Sequence, residues 1–186
     1  MKRLFLSAAP IHALYRIERR PIQDARGSFS RLFCAEELAE AGWRKPIAQI
    51  NHSVTVKTGT VRGLHYQNVP HAEMKLVSCI RGAVWDVAVD LRAGSATFLR
   101  WHAEVLSAEN GYAMLIPEGF AHGFQTLTDG VELIYCHSAA YHQQAQGGLH
   151  PQDARLSIAW PRPITELSER DAQYPPTLPH FQGLLI

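Results

Sequence analysis

Cysteine is scarce in this 186-residue chain, with Cys34, Cys79 and Cys136 widely separated and odd in number. With no Cys-x-x-Cys pair among them, neither a disulfide framework nor a zinc ribbon is expected to organise the fold. An excess of one charge is also missing: eighteen Lys+Arg against seventeen Asp+Glu give a formal +1. Such a balance supplies no basic field, so neither nucleic acid nor a membrane surface is expected as a partner. No apolar run approaches a membrane-spanning length, and the faintly apolar stretch in residues 1–10 is too short for a signal core. The expectation is a protein of the reducing cytoplasm. Also absent are a phosphate-binding loop, a dinucleotide fingerprint and a Gly-x-Ser-x-Gly nucleophile elbow.

What is present is an ordinary globular composition, 46% hydrophobic and 19% charged, at a length that suits one domain over residues 1–186. Short β-rich runs at 14–18, 47–56, 75–80, 84–91, 97–106, 112–116, 123–127 and 131–136 are cut by Gly, Pro, Asn and Asp. Strands at that spacing predict a sandwich or barrel, not a doubly wound sheet. Residues 35–42 read as the one short helix, stopped by Gly42. From residue 144 onward the chain loses periodicity and gains prolines, yet keeps Leu156, Ile158, Trp160, Leu167, Tyr174, Phe181 and Leu184. That pattern predicts an irregular tail packed over the barrel.

Histidine is plentiful, with ten residues, which opens two chemistries: metal ligation or proton transfer. The polar density sits in two short stretches, Gly59-Thr60-Val61-Arg62-Gly63-Leu64-His65-Tyr66-Gln67 and Ile116-Pro117-Glu118-Gly119-Phe120-Ala121-His122-Gly123-Phe124, each holding one of the ten. Strand alternation puts Val61, Gly63, His65 and Gln67 on one face and Arg62, Leu64 and Tyr66 on the other. Arg62 close in sequence and Lys75 at the next strand's start favour a pocket at His65 over a hydrogen-bonded core imidazole. A metal-dependent barrel enzyme would need His65, Gln67, Glu73 and His122 as ligands. Gln67 stands where a second imidazole is wanted and is the poorer ligand, which disfavours that reading.

Beyond these stretches, Lys75-Leu76-Val77, Asp86-Val87-Ala88-Val89-Asp90-Leu91-Arg92, Asp24-x-Arg26-Gly27, Asn51-His52-Ser53 and Leu167-Ser168-Glu169-Arg170-Asp171 occur in order along the chain. In this set the sequence resembles the dTDP-4-dehydrorhamnose 3,5-epimerase family. The resemblance implies a mainly β, cupin-type jelly roll that works without a metal or other cofactor, usually as a homodimer. It implies a nucleotide-diphosphate 4-keto-6-deoxyhexose as substrate, epimerised at C3, C5 or both in deoxysugar or cell-surface polysaccharide biosynthesis.

The same resemblance implies roles for individual residues. His65 would be the base, oriented by Asp171; Lys75 would stabilise the enolate; Tyr135 would return a proton from the opposite face. His122 would support the pocket, with Asp86 behind it. Arg62 would meet the diphosphate, with Phe29, Gln49, Asn51 and Tyr141 lining the site and Arg26 reaching a neighbouring subunit's site. Each residue also has a plainer reading. Lys75 could snorkel from a strand end, Tyr135 could be core, and Asp171 could be an exposed charge. A non-catalytic binding homologue is a further alternative, against which an acid and a base together argue. The chain departs from the family at Arg31, where an acidic residue is usual, and at His150-Pro151-Gln152-Asp153-Ala154. These departures bear on which nucleotide and sugar are accepted.

Overall fold

The computed structural model describes residues 1–177 and 179–186. Strands β1 (Leu4–Ala8), β2 (Tyr15–Arg19), β3 (Ile22–Asp24), β4 (Gly27–Phe29) and β5 (Gln49–Thr55) come first. Then follow β6 (Val61–Gln67), β7 (Lys75–Arg81), β8 (Ala83–Asp90), β9 (Trp101–Ser107) and β10 (Tyr112–Ile116). β11 (Phe120–Thr126), β12 (Val131–His137) and β13 (Gln146–Gly148) complete the set. Helix α1 (Ala35–Leu38) continues into a 3-10 turn, Ala39–Ala41, and α2 (Glu169–Ala172) is a single turn within the tail. Gly42, at φ +89°, ends the first helix where the sequence placed its stop.

Two antiparallel sheets face each other, ordered β1-β2-β10-β7-β12-β5 and β13-β6-β11-β8-β9, with β3 and β4 forming a separate hairpin. This is the expected jelly-roll sandwich. Val77, Cys79, Val84, Ala88, Leu106, Met114, Phe124 and Leu133 fill the space between the sheets, each large side chain contributing about 1.5–3 kcal/mol by leaving water. On the outer face of the six-stranded sheet, Leu38, Ala41 and Trp43 of the helical segment cover Ile17, Leu76 and Leu115.

The tail covers the other sheet as expected. Leu156, Ile158, Trp160, Phe181 and Leu184 pack on Leu64, Val87, Val89, Leu91 and Ala121. Two indole N–H groups fasten it: Trp101 donates to Leu156 O at 2.9 Å and Trp160 to Pro151 O at 2.8 Å. Trp85 meets both rings edge-on, at 5.6 and 5.5 Å. A parallel bridge from Thr60 to Glu166 then leads the chain back across β6, which carries α2 to the mouth of the sandwich.

Alternation along the strands explains why one end of the sandwich is a core and the other a pocket. On β12, Val131 and Leu133 are apolar and inward, and the next inward positions are Tyr135 and His137. On β7 the inward series runs Cys79, Val77, Lys75. The face that buries hydrocarbon at one end thus presents ionisable groups at the other.

Candidate active site

A cavity of about 870 Å³ opens at that polar end, between β6 and β11 of one sheet and β5, β7 and β12 of the other. His65, Lys75, Tyr135, Asp171, Arg62 and His122 all line it, together with Asn51 and Tyr141. Arg26 and Phe29 do not: they sit on the exposed β3–β4 hairpin, with Arg26 paired to Asp24 at 2.6 Å and Phe29 74% exposed.

His65 and Arg62 share this cavity, which corrects the strict alternation expected of the strand. Cross-strand partners are His122 with His65 but Phe124 with Arg62, so β6 spends three steps where β11 spends two. The bulge shifts the pleat by one residue, and Leu64 turns outward into the tail cluster. Gly63 permits it: at φ +121°, a Cβ there would lie 2.5 Å from the Gly123 Cα. His122 likewise lies within a strand and is buried, not in the turn before it.

Asp171, on α2, accepts from His65 Nε2 at 2.6 Å and from the Gly63 N–H at 3.2 Å. Burial pushes its carboxyl up, but the hydrogen bonds from His65 and Gly63 outweigh that and hold it below the usual carboxylate range. With Nε2 donating to an ionised carboxylate, the lone pair of His65 lies on Nδ1. Tyr174 abuts the imidazole edge-on at 6.2 Å, and the Arg170 guanidinium lies 3.2 Å from the same Nε2, two donors that share the Asp171 carboxylate. Behind the pocket, His122 Nε2 donates to Asp86 Oδ1 at 2.8 Å.

Across the cavity, the Tyr135 hydroxyl meets Ser53 Oγ at 3.2 Å. Burial pushes its phenol far up, so the group holds its proton throughout the physiological range. Lys75, nearly buried, ion-pairs with Glu73 Oε1 at 3.2 Å and approaches His65 O at 3.4 Å. Arg62 is anchored on Thr55 Oγ1 at 3.0 Å and Val54 O at 3.2 Å. Gln49 lies beside the cavity, donating to Asn51 Oδ1 at 2.9 Å and accepting the Tyr141 N–H at 2.9 Å.

The four residues weighed as metal ligands are each engaged elsewhere. Gln67 accepts from the His142 N–H at 2.6 Å and donates to His71 O and Ala140 O. Glu73 is held by Lys75 and His137, while His122 and His65 are held by aspartates. Among the described residues no group of three or more His, Cys, Asp or Glu is arranged to hold a metal ion. Arg31 forms an ion pair with Glu37 of α1 and is not among the cavity-lining residues.

His137 has no role in the sequence analysis above. The ring lines the cavity, donates from Nδ1 to Glu73 Oε2 at 2.7 Å, and stacks on Tyr135 at 6.1 Å. Alternation from Leu133 through Tyr135 was the available signal, since it points residue 137 the same way. Arg170 and Tyr174 were missed because only the folded tail brings them to His65.

The chain is similar to known proteins over most of its length. The family model of dTDP-4-dehydrorhamnose 3,5-epimerase matches residues 8–178. A dTDP-4-dehydrorhamnose 3,5-epimerase of Sinorhizobium fredii (strain NBRC 101917 / NGR234) is 40% identical over 92% of this chain and 89% of its own length. A dTDP-4-dehydrorhamnose 3-epimerase of Streptomyces niveus is also 40% identical, over 87% of this chain and 78% of its own. The crystal structure of dTDP-6-deoxy-D-glucose-3,5-epimerase from Legionella pneumophila Philadelphia 1, in complex with dTDP-4-keto-L-rhamnose, superposes with a TM-score of 0.86. It is 38% identical and covers 91% of this chain and 90% of that one. The chain therefore belongs to the dTDP-4-dehydrorhamnose 3,5-epimerase family of isomerases.

Proposed function

We propose that this protein inverts C3, C5 or both of a dTDP-linked 4-keto-6-deoxyhexose in deoxysugar biosynthesis. The carrying observation is the pairing of His65 with Asp171 on one wall of the cavity and of Tyr135 with Ser53 on the other. A ketone at C4 acidifies the C–H bonds on both neighbouring carbons. The His65 Nδ1 lone pair takes one such proton, and the C–H electrons move into the enolate, placing negative charge on O4. The Lys75 ammonium donates to that oxygen as charge develops, a contribution greatest in a water-poor cavity. Tyr135 then delivers its phenolic proton to the same carbon from the opposite face, inverting it. The imidazolium and phenolate return to their starting states by exchange with water. A base of near-neutral character and a protonated acid on opposite walls are what this chemistry requires, and mere binding would need neither.

The diphosphate is met by Arg62, with Gln49, Asn51 and Tyr141 about the sugar and nucleotide. Arg26 and Phe29 act from a second subunit. Supporting a homodimer, β5 is a sheet edge carrying exposed Ile50 and Val54, and the exposed β3–β4 hairpin does not line its own cavity. No helix among the described residues is long and apolar enough to cross a membrane.

Incubation with dTDP-4-keto-6-deoxyglucose in deuterated water, followed by NMR, tests this directly. Deuterium is expected at C3, C5 or both, and which carbon exchanges defines the specificity. No incorporation at either carbon would remove the thymidine-linked reading.

A further inference from the structure

A row of hydrogen bonds runs through the cavity wall with its polarity fixed at one end. The Tyr141 backbone N–H can only donate, so the Gln49 atom that it meets at 2.9 Å is Oε1. Gln49 Nε2 must then donate, and it does, to Asn51 Oδ1 at 2.9 Å. That leaves Asn51 Nδ2 as the group facing His137 Nε2 at 3.3 Å. An amide N–H has to meet a lone pair, so Nε2 of His137 is unprotonated and its proton lies on Nδ1. Nδ1–H donates to Glu73 Oε2 at 2.7 Å, and Glu73 Oε1 takes the Lys75 ammonium at 3.2 Å. Each link has one donor and one acceptor, and none can be reversed singly.

We infer that Glu73 and His137 are positioning residues that hold the Lys75 ammonium in place and couple it to the Gln49–Asn51 amides. The inference rests on Lys75 as the enolate-stabilising group. Lys75 and His137 are cross-strand partners on β7 and β12, so the two ends of the relay are held by the sheet ladder. Burial raises the Glu73 carboxyl, yet the His137 hydrogen bond and the Lys75 charge together hold it below its usual range. An anion here neutralises a lysine whose side chain is 9% exposed, a cation that would otherwise be nearly buried and unpaired. Repositioning of Gln49 or Asn51 by a sugar is thereby transmitted to the group that meets the ketone oxygen.

Glu73→Gln keeps the volume and breaks the logic. If the new amide turns its oxygen to Lys75, its NH2 faces His137 Nδ1–H. A tautomer change at His137 then sets Nε2–H against Asn51 Nδ2. If the amide turns the other way, its NH2 faces the ammonium. One donor–donor clash survives in every arrangement.

The expected kinetic result is a fall in kcat of about tenfold or more, with KM within about threefold. Glu73→Asp, shorter but still anionic, should retain more activity than the isosteric Gln. A purely structural role would give the reverse order, and that order would overturn the inference. Nitrogen-15 NMR of histidine-labelled wild-type protein at neutral pH supplies a readout that needs no turnover. It should show His137 as the neutral Nδ1–H tautomer, and an Nε2–H or doubly protonated ring would overturn the relay even if the variants fail to fold. Failure of wild type to exchange deuterium would count against the proposed reaction alone, leaving the tautomer result to judge the relay.

Discussion

Two histidine–aspartate pairs lie side by side in this molecule, their imidazoles on cross-strand partner positions of β6 and β11, and they behave oppositely. In the first, His65 is 25% exposed on the cavity side and Asp171 is 3% exposed, with a backbone N–H as second donor. In the second, Asp86 is wholly buried, its Oδ2 has no partner, and burial pushes its carboxyl up. The residue types are identical. The difference lies in how many donors meet each carboxylate and in how open the imidazole is, 25% exposed at His65 against 6% at His122. Donors make Asp171 a fixed anion that can orient a base; their lack leaves Asp86 a buttress behind His122.

The harshest way to break this comparison is to remove the two imidazoles in turn. His65→Ala should lower kcat by roughly 10³-fold, within the range set by loss of a general base. His122→Ala should cost far less in turnover, and equal losses would erase the distinction between the pairs. Asp171→Asn should follow His65→Ala closely, for a reason of polarity. The Asn oxygen must accept the Gly63 N–H, which turns the NH2 toward His65 Nε2. The ring then protonates at Nδ1 and loses the lone pair that faces substrate, costing roughly 10²-fold or more. Deuterium exchange of each variant, with circular dichroism to confirm folding, measures both effects.

Asp90 sharpens the comparison by separating donors from chemistry. It is as buried as Asp86 but accepts from Arg92, Ser95 and Thr97, and against burial these lower its carboxyl from 3.8 to about 2. A carboxylate depressed in the folded state stabilises above its unfolded value and loses that stabilisation as pH falls through the folded one. That drop of about 1.8, at about 1.36 kcal/mol per pH unit, converts to roughly 2 kcal/mol. Asp90→Asn should therefore lose about 2 kcal/mol at pH 7 and progressively less between pH 4 and pH 2, with turnover unchanged, as Asp90 does not line the cavity. Urea denaturation across that window gives the value, and a flat difference would mean that the donors do not set the charge.

Much of this was legible in the sequence, and what was not has physical causes. Alternation on 131–136 and 75–80 placed strands correctly because a sandwich core imposes period two on its inner faces. It failed at Arg62, since a bulge is a property of two paired strands and leaves its mark on one only as a glycine. His137 was lost in an apolar run, although the same alternation aims it at the cavity. Glu73 was seen only as a metal ligand, because its partners arrive from β7 and β12. The tail's apolar residues announced its packing, but the return of Asp171 to His65 spans 106 residues and came from the family resemblance alone.

Asp86→Asn is the gentlest change and the one that tests the sign of the difference between the pairs. An acid whose folded value is raised contributes stability below its unfolded value and loses it as pH rises. Wild type therefore loses stability at Asp86 as pH rises above about 4, whereas its gain at Asp171 and Asp90 is made below about pH 4. The Asn oxygen can still accept from His122, and an unpaired amide N–H replaces an unpaired carboxylate oxygen, so the change at any one pH should be about 1 kcal/mol or less. The slope is what discriminates. Relative to wild type, Asp86→Asn should gain stability from pH 4 to pH 7, while Asp171→Asn should lose it from pH 2 to pH 4. Parallel urea titrations at pH 2, 4 and 7 read both slopes in one experiment. Slopes of the same sign would mean that His122 supplies enough charge to make Asp86 a second fixed anion. The buttress would then be as competent as His65–Asp171 to orient a base, and only the greater exposure of the His65 ring would separate the two.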